Sequence, residues 1–240
     1  MSEVESIADP PLPPPPPPPT AAPVFDFVRP LAFTFEDPEW IQKILLGGLF
    51  TLASCLLIGV PFLYGYLARL TRNVIEGREH PLPDWDNLGD YFVEGLTLFA
   101  VGLVYAIPFM LLLGMLVFPS VLMQMTDSEA LRTAGGLMGG AMWCVMFPLS
   151  LAMAVWLPAA LLNAVVTNRF AAAFDFRRIA AFIRANVGNY ILAYVVWLIA
   201  RFVAPFGLAL CCVGVMFTIF WSMVVAAYAF GQVYRLSLSR

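Results

Sequence analysis

HPLPDWDNLGDYFVEG, residues 80–95, opens on the chain's single histidine, His80, and sets Asp84, Asp86, Asp90 and Glu94 close together in an otherwise apolar sequence. Carboxylates at this spacing could bind calcium, transfer protons or form ion pairs. Asp84-Trp85-Asp86-Asn87-Leu88-Gly89 begins like a calcium loop, but its fifth position is Leu88, and an acid stands at the eleventh place, Glu94, where the twelfth, Gly95, is required. Proton transfer lacks a nearby nucleophile or second catalytic partner. Capping of a following helix by Asp84 or Asp86 accounts for the same residues. Cys55, Cys144, Cys211 and Cys212 lie in apolar runs with no histidine or second thiol at metal-ligand spacing, so they read as buried small hydrophobes. No catalytic, metal or cofactor-binding residue is assigned, and no cofactor is expected.

Ion pairing is the chemistry that remains. Asp86, Asp90 and Glu94 stand at i, i+4 and i+8, an acidic stripe that disfavours an isolated helix. Something cationic should oppose it. The second polar loop, RFAAAFDFRRIAAFIRANVGNY, supplies Arg177, Arg178 and Arg184. The expected pairing set is therefore Asp84, Trp85, Asp86, Asp90 and Glu94 with Arg177, Arg178 and Arg184. Three further polar residues, Asn163, Arg201 and Gln232, sit in apolar surroundings and are candidate intramembrane groups. Arg201 can snorkel to an interface if its span ends near Pro205, or be buried with a partner such as Asn163 or Gln232.

The elements that position these groups belong in lipid. Hydrophobic residues make up 61% of the chain and charged ones 12%, with a mean hydropathy of +0.82, outside the range of soluble domains. No charge occurs between Gly95 and Thr126 or between Thr133 and Asn168. Both gaps exceed the ~20 apolar residues a bilayer crossing needs.

Ordered structure is expected from Asp37-Pro38-Glu39-Trp40, a helix start. A first span follows from Ile41 to about Tyr66, kinked at Gly59-Val60-Pro61. The second is Leu96–Phe118. The third runs from about Leu137 to Thr167, led by a capping box at Thr126-Asp127-Ser128-Glu129, with GxxxG spacings through Gly135, Gly136, Gly139 and Gly140. Tyr190 to Tyr234 holds two more spans around a turn at Pro205-Phe206-Gly207. The fold class is thus all-α, a polytopic membrane helical bundle of about five transmembrane helices, four to six being allowed.

Nine basic residues after the odd-numbered spans against four elsewhere place those loops and the C-terminus in the cytoplasm, and the N-terminus outside. The cytoplasmic loops should carry short interfacial helices. In the second, Phe176, Ile179, Ala180 and Ile183 share one face while Arg177 and Arg184 share another. The two loops also share a plan of aromatic-Asp pair (Trp85-Asp86, Phe174-Asp175), helix and glycine (Gly95, Gly188), a weak internal repeat.

Residues 1–32 form a disordered proline-rich tail without the basic and apolar regions of a secretory signal; a polyproline II spacer is favoured over a ligand for an aromatic groove. Residues 33–236 make the membrane-embedded domain and 237–240 a short C-terminal tail.

DPEWIQKILLGG, GYLARLTRNVIEG followed by LPDWD, YFVEGL, RFAAAFDFRRI, NVGNY and FGQVYR together resemble a prokaryotic integral membrane family catalogued as domain of unknown function 4013. The resemblance covers about residues 33–236 and excludes the proline run. It implies a small multi-pass protein of the cell membrane and carries over no catalytic residue. The expected role is a non-enzymatic structural or partner-binding component in the lipid bilayer, with a protein partner or homo-oligomer and no nucleic acid. A small-molecule transporter or permease is the alternative, resting on the proline-broken spans and on Asn163, Arg201 and Gln232.

Overall fold

The computed structural model describes residues 24–238, apart from the side chains of Leu116, Leu210, Cys211, Cys212 and Val213. The expectations for the proline tail before Val24, for Cys211 and Cys212, and for the last two residues lie outside that range. Among the described residues the chain is all helix and turn.

The helices are α1 (Arg29–Glu36), α2 (Trp40–Ala53), α3 (Gly59–Glu76), α4 (Leu88–Gln124), α5 (Glu129–Thr167), α6 (Phe176–Ala185), α7 (Val187–Val203) and α8 (Cys211–Leu238). Helix α1 begins ahead of Asp37, where the sequence placed the first ordered residue. The Asp26 carboxylate accepts from the amides of Val28 and Arg29, both at 3.0 Å, and Pro30 sits in the first turn. These features pre-shape a helix start that hydropathy does not reveal.

Among the described residues four helical stretches are long and apolar enough to cross a membrane: 88–124, 129–167, 187–209 and 214–238. This multi-pass architecture lies within the expected range, but the first expected span is not among them. A 3-10 turn at Ser54–Leu56 and a left-handed Leu57 (φ 63°) separate α2 from α3. Position 47 on α2 and Tyr66 on α3 both meet Phe220: a Cβ on Gly47 would lie 2.0 Å from its ring, and the Tyr66 ring centre is 5.5 Å away. In one continuous helix these positions would stand about 28 Å apart. The chain instead doubles back, and the expected kink is a reversal. Gly59 is required there, because a Cβ would lie 2.0 Å from the carbonyl oxygen of Phe50.

Helix α8 is the axis of the bundle, with Phe220, Val224, Val225, Ala229 and Val233 fully buried against α2, α3 and α7. The α7–α8 connection at Ala204–Leu210 contains the expected Pro205-Phe206-Gly207 turn. Helices α4 and α5, 37 and 39 residues, form a hairpin that α3 holds near the α4 N-terminus. At 37 residues α4 is ~55 Å long, well beyond a bilayer core of about 30 Å.

Two local motifs differ from expectation. Ser128 is the N-cap of α5 but makes no side-chain capping bond. Of the four α5 glycines, Gly135 alone is tightly packed, 2.8 Å from the carbonyl oxygen of Ser120 by its absent Cβ; Gly136, Gly139 and Gly140 face open space.

The end of the bundle that carries the arginines is shared by segments far apart in sequence. The Gln232 amide, oriented to satisfy both groups, donates to the Asp26 carbonyl (3.1 Å) and accepts from its amide (2.7 Å). Arg235 covers Gly77, which ends α3 at φ 76°. The described chain therefore starts, at Val24 and Asp26, beside the C-terminal turns of α8 and not at the opposite end as expected, and Phe33 and Phe35 then pack further down α8 on Tyr228 and Trp221.

Candidate functional site

The polar stretch at 80–95 lies in a charged seam, and the seam's cations come from α2 and α3. Lys43 leaves the first turns of α2 with 7% of its surface exposed. Its ammonium donates to Asp37 at 2.8 Å and to the Leu82 carbonyl at 3.3 Å, and pairs with Asp84 at 2.8 Å. A buried charge is tolerable only with such partners. Burial pulls the Lys43 pKa down, but the hydrogen bonds to Asp37 and Asp84 outweigh it and hold the group above its ordinary value of 10.5. Asp37 is bound twice over, because its other oxygen accepts the Glu39 amide at 2.8 Å.

Trp85 closes the seam from the loop. Its indole N–H donates to the Lys43 carbonyl at 3.0 Å, and its ring stacks on Phe50 of α2 at 4.8 Å and on Tyr66 of α3 at 4.2 Å. The Tyr91 hydroxyl donates to the Asp84 carbonyl at 2.7 Å. Here the Tyr66 hydroxyl is fully buried and has no hydrogen-bond partner among the described residues.

A second node joins α3 to α4 and α5. Arg72 pairs with Glu94 through both guanidinium nitrogens, donates its Nε–H to the Val165 carbonyl at 3.2 Å, and reaches Asn168 at 3.4 Å. This works because α3 and α4 cross in near contact. A Cβ on Gly65 would lie 2.0 Å from the Tyr91 carbonyl oxygen, and one on Gly95 1.6 Å from that of Pro61.

The cations that meet these carboxylates are Lys43, on Asp84, and Arg72, on Glu94, and not the arginines of the second loop. Among the described residues Arg177, Arg178 and Arg184 form no ion pair with Asp84, Asp86, Asp90 or Glu94; all three are exposed on α6. The stripe itself is not continuous, since α4 starts at Leu88 and leaves Asp86 in the loop. Asp86 and Asp90 are exposed, and only Glu94 is drawn inward. Neither Asp84 nor Asp86 caps α4, whose N-cap, Asn87, makes no side-chain bond. Among the described residues no group of three metal-ligating side chains comes together.

Helix α6 keeps Arg177, Arg178 and Arg184 exposed and turns part of its apolar side inward. Ile179 is buried and Ile183 packs on the core together with Phe182, whereas Phe176, expected on the same face, is exposed; Asp175 caps the helix through the Arg178 amide at 3.0 Å. The proposed repeat is not matched in packing: Gly95 sits against backbone while Gly188 faces open space.

Asn163, Arg201 and Gln232 are not brought together. Asn163 donates to the Ala172 carbonyl at 2.7 Å, Gln232 holds Asp26, and Arg201 is exposed in the last turn of α7. Sequence reasoning missed Lys43, Arg72 and Asp37. Lys43 carried a usable signal, a single cation inside the apolar run Trp40–Leu56.

Residues 48–213 match the model of a family described as protein of unknown function, DUF4013. No curated protein and no solved structure matches the chain.

Proposed function

Since the chain belongs to the DUF4013 family, from which it inherits no activity, we propose its role from its own geometry: a non-enzymatic structural or partner-binding component of the cell membrane. The observation that carries the reading is the contrast between helices. The most apolar window of α4 is 6% buried within the chain, against 50% for that of α8. Met110, Leu111, Met115 and Phe118 of α4, with Trp143 and Phe147 of α5, stand exposed along one hairpin. Lipid covers such a face, and a partner helix, from a second copy or another membrane protein, packs on it through dispersion and small-residue contacts.

The charged seam supports this role by fixing the base of the hairpin to the rest of the bundle. The arginine-bearing end faces the cytoplasm: Arg29, Arg69, Arg72, Arg78, Arg169, Arg177, Arg178, Arg184 and Arg235 share it, with Arg132 and Arg201 toward the other end. Arg177, Arg178 and Arg184 then point from α6 into the headgroup region.

The test is photo-crosslinking in native membranes from Met115, Phe118 and Phe147, each replaced in turn by a photoreactive residue. A discrete protein adduct recurring from these neighbouring positions is expected. Crosslinks to lipid alone from all three would overturn the reading.

A further inference from the structure

Beyond the hairpin surface, a partly open cavity of ≈ 570 Å³ lies between α2, α3, α5, α7 and α8, with Leu98 of α4 in its lining. Its space comes from small side chains where larger ones would close it: Ala68, Ala154, Ala226 and Ala227. The remaining wall is mostly leucine, valine, proline, methionine and aromatic carbon.

The polar atoms of the lining divide into two groups. Thr51, Ser54 and Thr71 each donate to the carbonyl four residues back, at 2.8 Å, so their protons are used within their own helices. Tyr64 and Trp197 also line the space, and neither donates a hydrogen bond to an acceptor among the described residues. Ala154, on the rim, is exposed, so the space opens to the outer surface of the helices.

From this lining we infer that the cavity takes the acyl chain of a membrane lipid, with an ester oxygen accepting from Tyr64 or Trp197. Water is a poor occupant of most of this space, because a buried water needs two to four polar partners and the wall is largely hydrocarbon, its few hydroxyls already donating within their own helices. The surrounding bilayer provides acyl chains at high local concentration. An ester is an acceptor without a donor, which complements two unpaired donors. The inference does not depend on the partner-binding role proposed for the α4–α5 hairpin.

The test uses the full chain in vesicles of phosphatidylethanolamine and phosphatidylglycerol containing a phosphatidylethanolamine with a diazirine in one acyl chain. Peptides bearing Leu161 and Ala226 should be labelled, and Ala226→Leu with Ala227→Leu should remove most of that labelling while leaving labelling at the exposed Phe118 unchanged. Labelling confined to Phe118 and other outer positions, or unaffected by the two leucines, would overturn the inference. Tyr64→Phe preserves the cavity's shape and gives a second measure. Methyl palmitate should compete with the probe better than hexadecane in the unaltered protein, and the advantage should fall roughly threefold to tenfold in the variant. An advantage unchanged by both Tyr64→Phe and Trp197→Phe would refute the ester contact.

Discussion

Replacing Lys43 by Met tests whether the seam is held by a charge or only by packing. The methionine fills nearly the same volume, so the loss isolates the ammonium. Asp37 is 4% exposed on its side chain and would be left buried without its cation. Breaking a buried pair in this way costs about 3–5 kcal/mol. Asp84 adds little, because its side chain is 64% exposed and solvent-screened, and such pairs contribute about 0–1 kcal/mol. Adding Asp37→Asn removes the orphaned charge while the amide oxygen can still accept from Glu39, so the double variant should recover about 2–4 kcal/mol of the loss. The assay is a double-mutant cycle on thermal unfolding in detergent micelles, with Asp84→Asn as the exposed control. The same pair gives a pH signature. A lysine whose folded pKa is raised contributes stability that is complete below 10.5 and lost as pH climbs through the higher folded value. The unaltered protein should therefore lose more stability above that pH than the double variant does. Additive effects of the two substitutions, together with matching alkaline profiles, would refute a charge-held seam.

Arg72→Gln should destabilise by about 2–3 kcal/mol, and Glu94→Gln in that background should restore part of the loss. Arg177→Glu with Arg184→Glu should stay within about 0.5 kcal/mol in the same unfolding assay, because both are exposed and unpaired with the acids. Gly95→Ala forces a Cβ to within 1.6 Å of the Pro61 oxygen and should cost about 1–3 kcal/mol or more as α3 and α4 move apart. Gly139→Ala faces open space and should stabilise α5 by about 0.5–1 kcal/mol; both are read by thermal unfolding. Tyr66→Phe removes an unpartnered buried hydroxyl and keeps the stack on Trp85, so it should be neutral or stabilising by about 1 kcal/mol. For topology, single cysteines replacing Val28, His80 and Arg177 in a cysteine-free background should react with an impermeant maleimide from one side, and one replacing Asp127 from the other. Reaction of the Val28 position with the Asp127 side would refute the doubled-back α2–α3.

Much of the architecture was legible because lipid imposes long apolar runs and prolines do not hide them. Leu96–Phe118 and Leu137–Thr167 lie inside α4 and α5, and the Pro205-Phe206-Gly207 turn falls where two spans had to be divided. The first span was misread for a reason the sequence does not display. The reversal is made at Leu57, a non-glycine residue at φ 63°, a conformation that costs an L-residue about 1–2 kcal/mol and that no turn-forming residue announces. Packing of both arms on Phe220 holds it there.

The error in the site follows from that one residue. With α2 and α3 read as one crossing, Lys43 and Asp84 stand on opposite sides of the bilayer, and the second loop becomes the nearest source of cations for the acidic stretch. Once the chain doubles back, Lys43 meets Asp84 at 2.8 Å and Arg72 reaches Glu94 across the Gly65–Gly95 crossing. The carboxylates then divide by burial. Glu94 faces the helices and takes Arg72, whereas Asp86 and Asp90 face solvent and need no partner. The four carboxylates of residues 84–94 are thus two structural tethers, Asp84 and Glu94, and two solvated acids, Asp86 and Asp90, and the arginines of α6 stay exposed and apart from them.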